Sequence, residues 1–251
     1  MMAGHILILG GTSEAMALAR ALADRPEINA VMSLAGRTGH PVLPPIKHRI
    51  GGFGGVEGLV AYLVRENISA VIDATHPFAA QMTRNAALAC ERLGLPRLIF
   101  TRPAWFPSDD DRWISVRDTE AAVDALGETP KKVFLTVGRL SLPAFRRAPK
   151  HHYLMRSIDA PDATDCPPQI ELILARGPFD VKAEQALMVA HGIEIVVTKN
   201  SGGHATDAKL AAARALRLPV IMIDRPTVPE SLVMHDLESV MAFIEAHRFN
   251  P

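Results

Sequence analysis

Five residues without a charged side chain, His5–Leu9, stop at Gly10-Gly11 and give way at once to a helical pattern. That unit, repeated along the chain, restricts the fold more than any other feature. From Thr12 to Asp24 the apolar positions Ala15, Leu18, Ala19 and Leu22 fall at helical spacing. Strands are predicted again at Ala30–Leu34, Ala70–Asp73 and Arg97–Phe100, and helices at Val56–Glu66 and Ala79–Leu93. Runs that are apolar throughout fit strands covered on both faces, as in a parallel sheet flanked by helices.

The alternation breaks at RPAWFPSDDDR, Arg102–Arg112, where two prolines, two aromatics and three consecutive aspartates leave no periodicity. This stretch reads as the crossover between two lobes, 1–105 and 106–251. The second lobe resumes with strands at Lys132–Val137, Glu171–Leu174, Glu194–Thr198 and Pro219–Ile223. Its helices are predicted at Val181–Ala190, Thr206–Leu216 and Leu237–His247. The expected fold class is α/β: two Rossmann-like lobes with parallel β-sheets flanked by helices and a ligand cleft between them. Ligands of such sheets sit at the carboxyl ends of the strands.

Composition removes several function classes. With 48% hydrophobic and 22% charged residues the chain can build a core, which excludes disorder as its main state. The 27 basic and 27 acidic residues cancel and aromatics are 5%, so nucleic acid is a poor partner. No apolar run reaches the roughly 20 residues that span a bilayer. The start, MMAGHILILGG, lacks the basic opening of a signal peptide, so no membrane partner is expected. Cys90 and Cys166 stand apart and outside any CxxC pair, which suggests neither disulfides nor zinc and makes a reducing cytoplasm the simplest location. No metal is expected: the Cys and His spacing forms no cage, and adjacent His151 and His152 in a strand would face opposite ways. Neither Tyr62 nor Tyr153 has a lysine four positions on, so the short-chain dehydrogenase pair is missing. GxxxxGK[ST], HExxH and GxSxG are absent as well.

The loops after the predicted strands hold the chemistry. In LGGTSEA (Leu9–Ala15), Gly10 and Gly11 let backbone amides approach a phosphate, while Thr12 and Ser13 can cap the helix or donate hydroxyls. A plain glycine turn with a threonine cap is the structural alternative. After the second strand comes SLAGRTG, and no Asp or Glu occurs between Glu27 and Glu57 to take ribose hydroxyls. Arg37 is there instead, suited to a 2′-phosphate and hence to NADPH over NADH. GGFGG (Gly51–Gly55) either makes room for a flat ligand or forms a tight turn. DATHPFA places Thr75 and His76 after another strand, as ligand contacts or as cap and polar neighbour. In the second lobe, TVGRLS and TKNSGG each follow a strand, and TKNSGG has the make-up of an anion nest. ARGPF puts Arg176 at a further strand end. Between Thr129 and Ile158 lie seven Lys or Arg and no acid, either a solvated face or an attraction for an anionic substrate.

Taken in order, LGGTSEA, GGFGG, DATHPFA, RPAW, TVGR, ARGPF, TKNSGG and AARALRLPVIMIDRP resemble the precorrin-6A reductase family of cobalamin biosynthesis, from Leu9 to Pro226. The resemblance implies NADPH-dependent reduction of one double bond of the precorrin-6A macrocycle to the dihydro product, precorrin-6B. Together with Ser13 and Arg37 from the loop readings above, the resemblance places Gly10, Gly11, Thr12, Glu14, Thr75, Gly138, Arg139, Asn200, Ser201 and Gly202 at the cofactor. Arg139, Lys199 and Gly203 fall to the anionic tetrapyrrole, with His76 and Lys199 as catalytic candidates. After Gly203 the chain reads His204-Ala205-Thr206-Asp207, where family members often continue with Gly and Glu. Two alternatives stay open: a catalytically silent NADP(H) sensor, and cobalt-precorrin-6A as substrate. The proton donor is His76 or solvent water, and a transient hand-over of product to neighbouring pathway enzymes is compatible with the role.

Overall fold

The computed structural model describes residues 5–36 and 42–246. It divides the chain into two compact units, one of Met1–Pro103 with Thr227–Pro251 and one of Ala104–Pro226.

The first unit opens with β1 (His5–Leu9), α1 (Ser13–Ala23), β2 (Asn29–Leu34), β3 (His48–Ile50), α2 (Gly55–Arg65), β4 (Ile68–Asp73), α3 (Ala80–Leu93) and β5 (Arg97–Phe100). The second contains β6 (Trp113–Val116), α4 (Thr119–Leu126), β7 (Lys132–Thr136), a 3-10 segment Arg139–Arg147 and β8 (His152–Ser157). It continues with β9 (Ile170–Leu174), α5 (Val181–Ala190), β10 (Ile195–Lys199), α6 (Ala208–Ala215) and β11 (Val220–Ile223). β12 (Leu232–Met234) and α7 (Leu237–Ala246) return to the first unit.

Both sheets are parallel and have six strands, ordered β12-β5-β4-β1-β2-β3 and β6-β11-β10-β7-β8-β9. Each therefore follows the doubly wound order 3-2-1-4-5-6. The sixth place is exchanged: β6 follows β5 in the chain yet pairs with β11, while β12 follows β11 yet pairs with β5. The residues after Pro226 thus belong with the first unit, which corrects the 106–251 lobe expected from the sequence. The physical reason is burial. Val240 and Ile244 of α7 are 0% and 3% exposed and share a core with Ile6, Ile8, Leu18 and Leu22. Two such side chains contribute about 1.5–3 kcal/mol each.

Period-two alternation explains why β1 is apolar at every position. Ile6 and Ile8 face the layer of α1 and α7, and Leu7 and Leu9 face α2 and α3, so both faces are covered. The short strands β3, β6 and β12, together with α4, fall where the sequence predicted no element. Each strand pairs on one side only, at or next to a sheet edge, or carries too few residues for a periodic signal.

One turn carries its own test. The Phe53 carbonyl closes over the start of α2, where a Cβ on Gly58 would lie 1.7 Å from the oxygen. Gly→Ala in an open helix normally stabilises by about 1 kcal/mol. At Gly58 the sign is expected to reverse, with a loss of about 1–3 kcal/mol from overpacking. The urea midpoint of Gly58→Ala reads it, and a rise would contradict the close approach.

Candidate functional sites at the switch point of each unit

In each sheet the strand order reverses at one point, and the loops leaving that point are the ones the sequence singled out. In the first unit it lies between β1 and β4, where Leu9 pairs with Asp73. The two loops are tied together: Ala74 N–H donates to the Leu9 carbonyl at 2.9 Å, and the Thr12 hydroxyl donates to the Ala74 carbonyl at 2.8 Å. The same Thr12 oxygen accepts from Ala15 N–H at 3.1 Å and so caps α1. Gly11, between them, has φ +116°, and a Cβ there would meet nothing within 4 Å. Backbone and open space thus meet at the amino end of an eleven-residue helix, where an anion is favoured. Ser13 donates to Glu14, whose carboxylate pairs with Arg102 at 2.9 Å. That pairing neutralises an acid that would otherwise repel a phosphate.

Asp73 is buried at the end of β4. One oxygen accepts from the Thr75 amide at 3.1 Å and from its hydroxyl at 2.7 Å; the other is buried with no hydrogen-bond partner among the described residues. His76 Nδ1 accepts from Phe78 N–H at 3.2 Å. The neutral ring therefore carries its proton on Nε2, and protonating Nδ1 would break that bond.

The second switch point lies between β7 and β10, with Thr136 beside Thr198. From it leave Gly138-Arg139 and Lys199 through Gly203. Burial holds the Lys199 ammonium down at a pKa of about 8. The loop after it is braced from behind. Arg225 donates to the Asn200 and Ser201 carbonyls at 3.0 and 3.1 Å, and the Trp105 indole N–H donates to the Gly203 carbonyl at 2.9 Å. Asn200, expected at the cofactor, uses both ends of its amide on the Trp105 backbone, at 2.8 and 3.0 Å. Its side chain is a brace, and Trp105 and Arg225 are the partners that sequence reasoning missed.

The basic stretch also changes character. Arg147 pairs with Glu120 and Asp124, Lys150 with Glu128 and Arg156 with Glu184, while Lys131 donates to the Leu126 carbonyl. Arg147, Lys150 and Arg156 are thus met by acids of α4, α5 and the residues between α4 and β7, so the run is not one anion-attracting face. His151 is fully buried between the Gly127 carbonyl and Lys131 N–H, while His152 is exposed. Arg37 lies outside the described residues. A hollow of about 590 Å³ lined by Lys132, His152, Glu171 and His191 sits at the amino ends of β7–β9, away from these loops. Among the described residues no group of three or more His, Cys, Asp or Glu is placed to hold a metal, and no helix is long and apolar enough to cross a membrane.

Two doubly wound α/β units with glycine-bearing loops at both switch points define a Rossmann-like α/β protein. The model of the family described as precorrin-6x reductase CbiJ/CobK matches residues 5–245. The precorrin-6A reductase of Rhodobacter capsulatus is 50% identical over 247 residues, covering 98% of both chains. A solved structure of a CobK precorrin-6A reductase superposes with a TM-score of 0.91 at 50% identity, over 97% of each chain. A cobalt-precorrin-6A reductase from Priestia megaterium is 28% identical, covering 94% of this chain and 96% of its own. The chain belongs to the precorrin-6x reductase family. It is an oxidoreductase of cobalamin biosynthesis acting on a CH–CH group, and it needs a reducing cofactor.

Proposed function

We propose that the protein reduces one double bond of metal-free precorrin-6A with NADPH, giving precorrin-6B. The observation that carries this reading is 50% identity along nearly the whole chain to a reductase named for the metal-free substrate, against 28% to one named for the cobalt form. The catalytically silent sensor loses its ground with membership of a reductase family.

The first unit suits a dinucleotide: open space before Gly11, the α1 amino end, and a neutralised Glu14. Gly10, Gly11, Thr12 and Ser13 would hold the pyrophosphate, with Thr75 beside them on the tied loop. NADPH supplies the hydride when bound. Gly138, Arg139 and the loop from Asn200 to Gly203 offer backbone amides and a cation to carboxylate or phosphate oxygens.

Reduction of a carbon–carbon double bond also requires a proton. The sequence left His76 and solvent water equally open as donor; His76 Nδ1 accepts from Phe78 N–H, so the neutral ring offers an Nε2–H hydrogen-bond donor. Lys199 is the better acid. Its ammonium, at about 8, is protonated at neutral pH yet gives up its proton readily. The test is parallel anaerobic incubation of the protein with NADPH and either the metal-free or the cobalt-bearing macrocycle, read by mass spectrometry. A product heavier by two hydrogens from the metal-free compound alone is expected; turnover of the cobalt form alone would overturn the substrate assignment.

A further inference from the structure

We propose that Arg49 is the residue that reads the extra phosphate of the dinucleotide, as the anion site for a phosphomonoester on the adenosine ribose. The proposal rests on the reading that the first unit binds NADPH.

Position comes first. β3 lies beside β2 with Arg49 opposite Ser33, one residue before the end of β2. In a sheet of this order the carboxyl end of the second strand is where the adenosine ribose lies.

The guanidinium is held in one orientation by neutral groups alone. Its Nη1 donates to Ser33 Oγ at 2.7 Å and to the Gly51 carbonyl at 2.8 Å, and Nη2 donates to the Gly52 carbonyl at 2.9 Å. The Phe53 ring lies 4.2 Å below it and the Tyr62 ring 5.2 Å away. Phe53 is itself set by its carbonyl closing over Gly58. No Asp or Glu of the described residues pairs with Arg49, and its bonds go to a hydroxyl and two carbonyls. A half-buried guanidinium stacked on aromatics and held by neutral acceptors keeps its full charge for an anion arriving from outside.

Donors and room are both present. A guanidinium has five N–H groups, and the three bonds above leave Nε–H and one Nη2–H. Two donors of one planar group match a phosphate. A Cβ on Gly52 would meet nothing within 4 Å, and on Gly51 the nearest atom would be Arg49 Nη2 at 3.8 Å. The glycines of GGFGG thus keep the approach to the guanidinium clear.

The experiment measures the dissociation constants of NADPH, NADH and 2′,5′-ADP for wild type, Arg49→Met, Arg49→Lys and Ser33→Ala, with a thermal melt of each. Wild type is expected to prefer NADPH over NADH. Arg49→Met should weaken NADPH and 2′,5′-ADP by about 10–100-fold, the worth of a lost charge-assisted bond, and NADH by less than about threefold. Arg49→Lys should recover part of the loss. Ser33→Ala frees the guanidinium without removing it and should weaken NADPH by a smaller factor. Equal losses for NADPH and NADH, or unchanged affinity for NADPH and 2′,5′-ADP, would overturn the role of Arg49 while leaving NADPH as the cofactor. A wild type that binds both dinucleotides alike would instead remove the reading on which the proposal rests. Should Arg49→Met melt far below wild type, Arg49→Lys and Ser33→Ala decide the matter alone.

Discussion

Arg156→Met is expected to lower stability by about 3–5 kcal/mol, the usual result of leaving one member of a buried ion pair alone. The side chains of Arg156 and Glu184 are 7% and 4% exposed, and the guanidinium makes two bonds to the carboxylate, the longer at 2.9 Å. Above it lies the Phe179 ring at 3.5 Å, so neither charge can escape to water when its partner is removed. Glu184→Leu is expected to do comparable harm. The double variant Arg156→Met with Glu184→Leu should recover most of the loss, because the desolvation of both charges disappears together. Urea midpoints of the four proteins give the coupling; additive losses would mean that the two side chains do not act as a pair. Phe179 belongs to ARGPF, so this pair fixes the base of one second-unit loop from below.

Lys199→Met should separate stability from activity. Burial takes the ammonium from an ordinary 10.5 down to about 8, so folding works against its charge. The folded protein binds fewer protons than the unfolded chain between pH 8 and 10.5, and this group's contribution to stability therefore rises with pH across that window. Below pH 8 the whole penalty is present. Relieving it makes Lys199→Met more stable than wild type at neutral pH by up to about 3 kcal/mol. The same variant should lose about 10²–10⁴-fold in kcat if Lys199 is the proton donor proposed above. If Lys199 donates the proton, wild-type kcat is expected to fall as pH rises through about 8, and the variant is expected to lack that limb. A variant that is more stable and equally fast would make Lys199 a cost without a function and return the proton to solvent.

Much of the fold was legible because the signal is local. A charge-free run ended by glycine marks β1, and the ends of β4, β5 and β11 and all of α5 agree with expectation for the same reason. The exchange of β6 and β12 was not legible. Nothing in Trp113–Val116 or Leu232–Met234 states which sheet will accept them, since pairing is decided by tertiary packing. Within each unit, motif and strand end coincide as expected, at Gly10–Thr12 and Thr75–His76 in the first and at Lys199–Gly203 in the second. The tasks of individual side chains were not legible. Asn200 turns inward to Trp105, Glu14 is neutralised from 88 positions away by Arg102, and the basic run is met by acids of α4 that lie before it in the chain. Arg49 carries no motif of its own in the sequence, and its setting appears only once Ser33 and Phe53 are seen to hold it in the folded chain.

The most direct test follows the hydrogen itself. Metal-free precorrin-6A is reduced anaerobically by the protein with NADPH deuterated at the transferring position of the nicotinamide, and the product is analysed by mass spectrometry and NMR. One deuterium bound to a ring carbon of the product is the predicted result, with the second hydrogen exchangeable from solvent. Reduced macrocycle without deuterium, or oxidised cofactor without reduced macrocycle, would contradict a direct transfer from NADPH.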